Sequence, residues 1–409
     1  MSTIKKILFL SLWALNQNFK AMNTENTLCP LNHNCHCTEI NLDCSNLLLD
    51  KIIPNMLNKY PSQHGVDVDY SHNTIYLLHN TSFYTYAATR AVNLVNNQIQ
   101  KIESGAFIKL EKCVSVNLSN NLLKDLPESL FNHMKSLNFL YLSRNSLETL
   151  PPKIFVNLNS LTHLRLNDNH LKFLPTSILT ANLHLETLYL ENNLLETAHY
   201  QWIQNLHFNL GQGEVYLDNN PWACDCRMKS FYKWEMTNNM FRSDPNGSLS
   251  AKRMTVPRCE YPPGHRGKSV RILNESDLKC DKPTITSKSS QNILAEPGQH
   301  IILQCDVESN PPAHISWILP NQTQLFVNNR YKEPEKLLHS NTIDIGSSQE
   351  KISNTFRSDT HLSSTLNLTN VHGAKSGLYI CVAEGLDHYG ASSKAQLKFF
   401  VKMEWVGAF

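Results

Sequence analysis

A repeating leucine pattern is the feature that most constrains the fold of this 409-residue chain. The template L-x-x-L-x-L-x-x-N-x-L starts at Leu137, Leu161 and Leu185, which gives a period of 24 residues. Weaker copies precede it at the same interval, starting at Gly65, Thr89 and Cys113, and a last copy follows three residues late at 215–220. A period of this length predicts a solenoid, here of seven coils between about residues 65 and 222.

The alternation within each copy indicates how the coils are built. Each L-x-L segment is expected to form a short parallel strand whose two leucines point into the coil. One coil cannot cover its own leucines, so the coils must stack into a continuous core. The asparagine of each copy is expected to lie inside as a structural ladder that satisfies backbone groups, rather than as a catalytic group: Asn73, Asn97, Asn121, Asn145, Asn169, Asn193 and Asn220.

The repeats and the spacers between them, such as Leu126-Pro127 to Phe131 and Leu150-Pro151 to Phe155, resemble the extracellular 24-residue form of the leucine-rich repeat family. The resemblance implies a leucine-rich-repeat solenoid: a parallel-β, curved horseshoe with disulfide caps at both ends.

The 11 cysteines fall in groups of four, one, four and two along the chain. The two groups of four flank the repeats, where a solenoid needs caps. Sequence alone allows three pairings in each cap. The resemblance implies one of them, pairing the first cysteine with the third and the second with the fourth: Cys29 with Cys37, Cys35 with Cys44, Cys224 with Cys259, and Cys226 with Cys280.

Two other interpretations concern single cysteines or small clusters. A zinc site is the alternative for the N-terminal cluster of Cys29, His33, Cys35, His36 and Cys37, but cap disulfides explain these cysteines in an exported chain, and we predict no metal. The odd cysteine, Cys113, takes the first leucine position of its repeat. It is therefore expected to be a buried thiol that behaves as a small hydrophobic side chain.

A different periodicity begins after residue 282. Alternating apolar positions predict strands around Cys305 and Trp317, and Tyr379 lies two residues before Cys381. This pattern resembles an all-β immunoglobulin-like sandwich, which implies a Cys305–Cys381 bridge with Trp317 packed on it and Tyr379 as the tyrosine corner. Lys375 departs from the family, which usually has an aspartate there. The long polar stretch 321–361 is compatible with extra edge strands or with a floppy loop.

Five segments follow from these patterns. They are a signal peptide at 1–21, an N-terminal cysteine-rich cap at 29–60, seven repeats at 65–222, a C-terminal cysteine-rich cap at 221–282 and an immunoglobulin-like domain at 283–403. The signal rests on a basic start, an apolar run at 7–15 and Ala21. No later run of 18 apolar residues exists, so no membrane span is expected in this chain. Six sequons fit an exported chain: Asn80, Asn117, Asn246, Asn274, Asn321 and Asn367.

Composition and motifs exclude several classes of function. The formal charge of +2, from 37 basic and 35 acidic residues, argues against a nucleic-acid binder. No phosphate-binding loop, H-E-x-x-H or C-x-x-C motif occurs. We therefore expect neither an enzyme nor a cofactor.

The combination of domains resembles leucine-rich-repeat and immunoglobulin-domain proteins, which are mostly cell-surface adhesion molecules and receptors. It implies an extracellular protein-binding molecule, secreted or on the outer face of the plasma membrane, that recognises a protein along the concave sheet. The exposed strand positions richest in aromatic and arginine side chains are the predicted contacts: Phe139, Tyr141, His163, Arg165, Tyr189 and Tyr216.

The same sequence patterns allow other functions and other roles for the tyrosines. The chain could be a secreted matrix protein that sequesters a growth factor, or the non-catalytic part of a longer receptor or enzyme. Stacking of Tyr141, Tyr189 and Tyr216 as a purely structural ladder would explain the same tyrosines. In the C-terminal cap, 12 basic against 7 acidic residues favour sulfated glycans as further partners. A solvated face with dispersed charges explains that excess equally well.

Overall fold

A computed structural model describes most of the chain. The described residues are 27–28, 34–54, 57, 65–206, 213–238, 255–287, 291–326, 341–344, 350–356, 360–386 and 392–403. The predicted signal peptide, Cys29 and Asn246 lie outside them. The chain forms two compact units, Met1–Asn193 with Gln201–Tyr216, and Leu194–Tyr200 with Leu217–Phe409.

A ten-stranded sheet runs through the first unit. Its strands are β1 (Thr27–Leu28), β2 (His36–Cys37), β3 (Asn41–Asp43), β4 (Val66–Asp69), β6 (Thr89–Asn93), β8 (Ser115–Asn117), β9 (Phe139–Tyr141), β10 (His163–Arg165), β11 (Thr187–Tyr189) and β12 (Glu214–Tyr216). From β3 onward all neighbours are parallel, and Leu140, Leu164 and Leu188 align across three strands. This register confirms the predicted solenoid.

The N-terminal cap extends this sheet, which the leucine pattern did not indicate. Strand β2 is antiparallel to β1 and β3, and β3 is parallel to β4 with Leu42 opposite Val68. The cap thereby pairs the open edge of the first repeat. A separate two-stranded sheet joins β5 (Leu77–Leu78) to β7 (Lys101–Ile102).

The core of the solenoid is built from equivalent residues of successive coils. The inward leucines of β9, β10 and β11 are fully buried. Opposite the sheet, Phe83, Phe107 and Phe131 form a buried series with ring centroids 5.7 and 6.1 Å apart. Burying a large apolar side chain contributes about 2 kcal/mol, so the repeated leucines and phenylalanines hold the coils together.

The repeat asparagines form the ladder that the sequence predicts. Asn145 donates to the carbonyls of Leu118 and Leu142 at 3.0 and 3.1 Å, and its Oδ1 accepts the N–H of Leu123 at 3.1 Å. Asn121 and Asn169 make equivalent bonds one coil to either side. Each amide therefore satisfies buried backbone groups of its own coil and of the coil before it.

Four of the five bridges that the resemblance implied are present, and the fifth involves Cys29, which lies outside the described residues. The bridges Cys35–Cys44, Cys224–Cys259, Cys226–Cys280 and Cys305–Cys381 are present, and Cys37 is also disulfide-bonded. Because Cys35 and Cys37 are oxidised, the zinc alternative for this cluster is wrong. Cys113 is a buried free thiol, and burial raises its pKa to about 12.

The second unit starts with the C-terminal cap. Strand β13 (Trp222–Ala223) is parallel to β14 (Cys259–Tyr261), and helix α1 spans Lys229–Asn238. Short 3-10 helices of the chain lie at Tyr200–Trp202, Cys226–Met228, Pro263–His265, Val270–Ile272, Glu275–Asp277 and Gly373–Lys375. Within the described ranges no helix is long and apolar enough to cross a bilayer.

Two five-stranded sheets complete the second unit. One has the order β15 (Asp281–Ile285), β17 (Ile301–Asn310), β22 (His361–Leu368), β21 (Glu350–Phe356) and β20 (Asn341–Asp344). The other has the order β16 (Asn292–Ala295), β24 (Ser392–Met403), β23 (Gly377–Leu386), β18 (His314–Ile318) and β19 (Gln324–Phe326). Strands β19, β20 and β21 show that the long polar stretch carries additional strands.

The core of this sandwich has the expected centre. The bridge Cys305–Cys381 joins the two sheets, and Trp317 packs near it with its indole N–H donated to Ser364 Oγ at 2.9 Å. The Tyr379 hydroxyl donates to the carbonyl of Lys375 at 2.9 Å, as a tyrosine corner requires. Lys375 uses its amine to donate to the carbonyl of Thr369 at 2.6 Å. The lysine that replaces the usual aspartate at position 375 thus makes a hydrogen bond to the backbone within this domain.

The asparagine ladder gives a stability prediction. Asn145→Ala removes four hydrogen bonds of a buried amide and leaves the Leu123 N–H without its acceptor. We expect a loss of about 3 kcal/mol in local stability. Hydrogen exchange of peptides containing β8 and β9 should accelerate about a hundredfold. The matched control, Asn159→Ala at an exposed position of the same coil, should leave these rates unchanged. Equal rates in both variants would contradict the ladder.

Candidate protein-binding face

The sheet register brings the predicted contact residues into two rows. Tyr141, Arg165, Tyr189 and Tyr216 lie directly opposite one another on β9 to β12, and we call them the tyrosine row. Phe139, His163, Thr187 and Glu214 align in the same way as the phenylalanine row. Parallel neighbours are about 4.8 Å apart, so side chains within a row are in contact distance. The leucines between the rows point inward, which leaves both rows on the outer side of the sheet.

Arg165 is the centre of the tyrosine row. Its guanidinium carbon lies 5.2 Å from the ring centroid of Tyr141 and 4.8 Å from that of Tyr189. Tyr189 in turn stacks on Tyr216 with centroids 4.6 Å apart and an interplanar angle of 12°. The row is therefore a continuous stack in which an arginine is held between two tyrosines. Cation–π contacts of this kind contribute roughly 0.5–1 kcal/mol each at exposed sites.

The phenylalanine row adds an apolar platform beside this stack. The rings of Phe139 and His163 lie 4.7 Å apart, and Phe139 is 6.4 Å from Tyr141. Burial, with a smaller contribution from the charge of Arg165, lowers the pKa of His163 to about 4. His163 is thus a neutral aromatic group at physiological pH. Thr187, the member of this row on β11, is buried.

The acidic end of the face lies at β12. Burial and, to a smaller extent, the negative charge of Glu214 raise the pKa of Tyr216 to about 12. Glu214 makes no ion pair with another residue of the described ranges. The hydroxyl of Tyr216 is therefore neutral at physiological pH.

The N-terminal half of the same face is different. Asp67 accepts from the Arg90 guanidinium at 2.8 Å, and Asp69 accepts from the Asn93 amide at 3.0 Å. These polar groups satisfy one another. Asn117, on β8 between the two halves, is only 8% exposed. The face is therefore asymmetric, with its unpaired cation and its aromatic rings on the C-terminal side.

Comparison with known protein families identifies the kinds of domain in this chain. A family model described as leucine rich repeat matches residues 112–171, and one described as immunoglobulin domain matches residues 282–384. Both matches coincide with the solenoid and the sandwich described above. The chain thus contains leucine-rich repeats and an immunoglobulin domain.

Individual relatives match parts of it. Mouse trophoblast glycoprotein is 37% identical over 98 residues, which are 24% of this chain and 20% of that protein. Mouse leucine-rich repeat and immunoglobulin-like domain-containing nogo receptor-interacting protein 2 is 26% identical over 183 residues, 43% of this chain and 24% of that protein. The chicken BDNF/NT-3 growth factors receptor is 24% identical over 166 residues, 41% of this chain and 18% of that protein. The chain thus matches at most about a quarter of the length of these relatives.

Several basic residues of the C-terminal repeat cap pair with acidic neighbours. Arg227 pairs with Asp225 at 2.6 Å, Lys233 with Glu275 at 2.9 Å and Arg266 with Glu260 at 2.7 Å. Such pairs spread charge around the cap and reduce its attraction for a polyanion. Asp225, Cys226 and Cys280 also lie together, but the two sulfurs are joined in a disulfide and offer no thiolate to a metal.

The sequence predicted which side chains share the outer face of the sheet, but it did not predict all of the contacts between them. Tyr141, Arg165 and Tyr189 occupy the same position of successive 24-residue repeats, so their alignment was available from the period. The Arg90–Asp67 pair was not, since it forms at an irregularity in the register between β4 and β6.

The low pKa of His163 predicts a pH dependence of stability. In the unfolded chain histidine takes up a proton near pH 6.5, whereas His163 in the folded protein resists protonation down to about pH 4. Lowering the pH from 7 to 5 should therefore destabilise the wild type relative to His163→Gln by about 1 to 2 kcal/mol. Urea unfolding midpoints at the two pH values measure the difference. His133→Gln, at an exposed position, is the control that should follow the wild type.

The burial of Asn117 predicts which sequon is left unmodified. Its Oδ1 accepts the N–H of Ser119 at 3.0 Å within the sheet, whereas Asn80, Asn274 and Asn321 are exposed and Asn367 is half-buried. We expect glycopeptide mapping of protein from secretory cells to find glycans among these four and none at Asn117. Accordingly, Asn117→Gln should not change the apparent mass. A glycan on Asn117 would show that the sheet face is covered there.

Proposed function

We propose that this chain is an extracellular protein-binding molecule of the adhesion or receptor type, which recognises a protein partner through the C-terminal half of the outer sheet face. The observation that carries the proposal is the stack of Tyr141, Arg165, Tyr189 and Tyr216 on the outer face, in which Arg165 is exposed and the three tyrosines are half-buried. Tyrosine and arginine dominate protein-binding hot spots because they bury much area and lose little entropy.

The rigidity of the sheet supports this proposal. The leucines of β9, β10 and β11 provide the core, so the outer side chains are not needed to close the solenoid. Their stacking holds them in one arrangement before a partner arrives, which lowers the entropic cost of binding. A structural ladder of three stacked tyrosines is a poorer description, since Arg165 separates Tyr141 from Tyr189.

The relatives and the disulfides support the extracellular assignment. One relative is named as a receptor-interacting protein and another as a growth factors receptor. The four described bridges require an oxidising compartment to form and persist. A non-enzymatic role fits these names. The alternative roles, a secreted protein that sequesters a growth factor or the binding part of a longer receptor, would use the same face.

An ectodomain array tests the proposal. The full-length secreted chain is applied to an array of cell-surface ectodomains and secreted growth factors, together with the variant Tyr141→Ala/Arg165→Ala/Tyr189→Ala. We expect the variant to lose at least about 2 kcal/mol of binding free energy, or roughly thirtyfold in affinity. Its melting temperature should fall by only a few degrees, because it loses about two exposed cation–π contacts and one ring stack.

The control replaces a pair on the other half of the face. Asp67→Ala/Arg90→Ala removes an exposed ion pair and should leave both binding and stability nearly unchanged. Hits among membrane ectodomains favour an adhesion or receptor role, whereas hits among growth factors favour sequestration. Binding that survives the triple substitution would reject the sheet face and direct attention to the immunoglobulin domain.

A further inference from the structure

The charged groups of the solenoid differ in whether they have a partner. Arg90 pairs with Asp67, Lys172 with Glu148 and Arg144 with Asp168. Arg165 is exposed, yet no carboxylate of the described residues lies within ion-pairing distance of it. It is thus a fixed positive charge on the candidate face that the fold itself does not neutralise.

The geometry of the stack determines which part of Arg165 can bind a ligand. The guanidinium of Arg165 lies over the ring of Tyr141 towards one neighbouring strand and over the ring of Tyr189 towards the other. Its N–H donors lie in the plane of the group and form a fork that matches the two oxygens of a carboxylate. Ring contacts also hold the side chain in place, so little rotamer freedom remains to be lost on binding.

The surroundings of Arg165 select the class of anion. His163 is neutral, so no second cation adjoins Arg165 in the phenylalanine row. Glu214 carries an unpaired negative charge two strands away, about 10 Å along the face. A polyanion such as a sulfated glycan would approach this carboxylate and be repelled. A single carboxylate bound to Arg165 stays about 10 Å from Glu214, and at that distance the repulsion is largely screened.

We propose that Arg165, held between the rings of Tyr141 and Tyr189, binds the carboxylate of an aspartate or glutamate side chain in a partner protein, while Phe139 and His163 receive an apolar neighbour of that residue. This inference rests on the proposed function, since it names the partner chemistry at the same face. Bidentate arginine–carboxylate pairs are stronger than neutral hydrogen bonds and orient the bound segment.

Peptide selection tests the inference without a known partner. A phage-displayed library of random 12-residue peptides is panned against the full-length secreted chain. We expect the enriched peptides to share an aspartate or glutamate within two positions of an aromatic or aliphatic residue. In synthetic copies, changing that acid to its amide should weaken binding at least tenfold. This arm changes no residue of the protein and therefore does not depend on the folding of a variant.

Variants of the chain assign the effect to Arg165. Arg165→Gln should abolish the selection for acidic residues, and Arg165→Lys, which keeps the charge but loses the planar fork, should bind the enriched peptides more weakly than the wild type. Arg90→Gln is the matched control at a paired arginine of the same face, and it should bind like the wild type. Heparin added as a competitor should not displace the peptides.

The outcomes separate this inference from the proposed function. Enriched peptides without an acid, tolerance of the acid-to-amide change, or equal binding by Arg165→Gln would overturn the role of Arg165. Displacement by heparin that disappears in Arg165→Gln would overturn the choice of a side-chain carboxylate. If the triple alanine variant nevertheless loses its array partners, the face remains the binding site and only its proposed chemistry is wrong. If that variant keeps them, the proposed function fails.

Discussion

The buried asparagine of each repeat is the interaction on which the rest of the solenoid depends. In the case of Asn145, one side chain bonds Leu142 of its own coil and both Leu118 and Leu123 of the coil before it. The chain turns sharply just before this residue, and Arg144 has a positive φ of 53°. Such a turn leaves backbone groups inside that no regular ladder can satisfy. The amide satisfies them, and in doing so it links each coil to its neighbour.

This linkage converts a spacing in sequence into an alignment in space. Residues 24 apart lie opposite one another on neighbouring strands, as Tyr141, Arg165 and Tyr189 do. The inward leucines bury the apolar area that stabilises the coils, whereas the outward positions contribute little to that core. The side chains at the outward positions can therefore differ between repeats without loss of the fold. The difference between the paired Arg90 and the unpaired Arg165 is therefore a difference in surface chemistry on one scaffold.

The second unit shows the same division between a fixed core and adjustable surroundings. The bridge Cys305–Cys381, Trp317 and Tyr379 could be placed from the resemblance of their pattern to an immunoglobulin-like sandwich. The role of Lys375 could not. Its amine reaches the carbonyl of Thr369 only because the 3-10 turn Gly373–Lys375 places it there.

The sequence by itself determined the period, the inward and outward positions, the cysteine groups and the sandwich, because each is a regular pattern that one geometry repeats. Only the tertiary structure decided which outward side chains touch. It placed Arg165 between two tyrosines where the sequence also allowed a structural stack of three tyrosines, buried Asn117 and Thr187 on the outer face, and joined β3 of the cap to the sheet. Such contacts depend on rotamers and on neighbours a full coil away, and a linear pattern fixes the face of a residue but not the groups beside it.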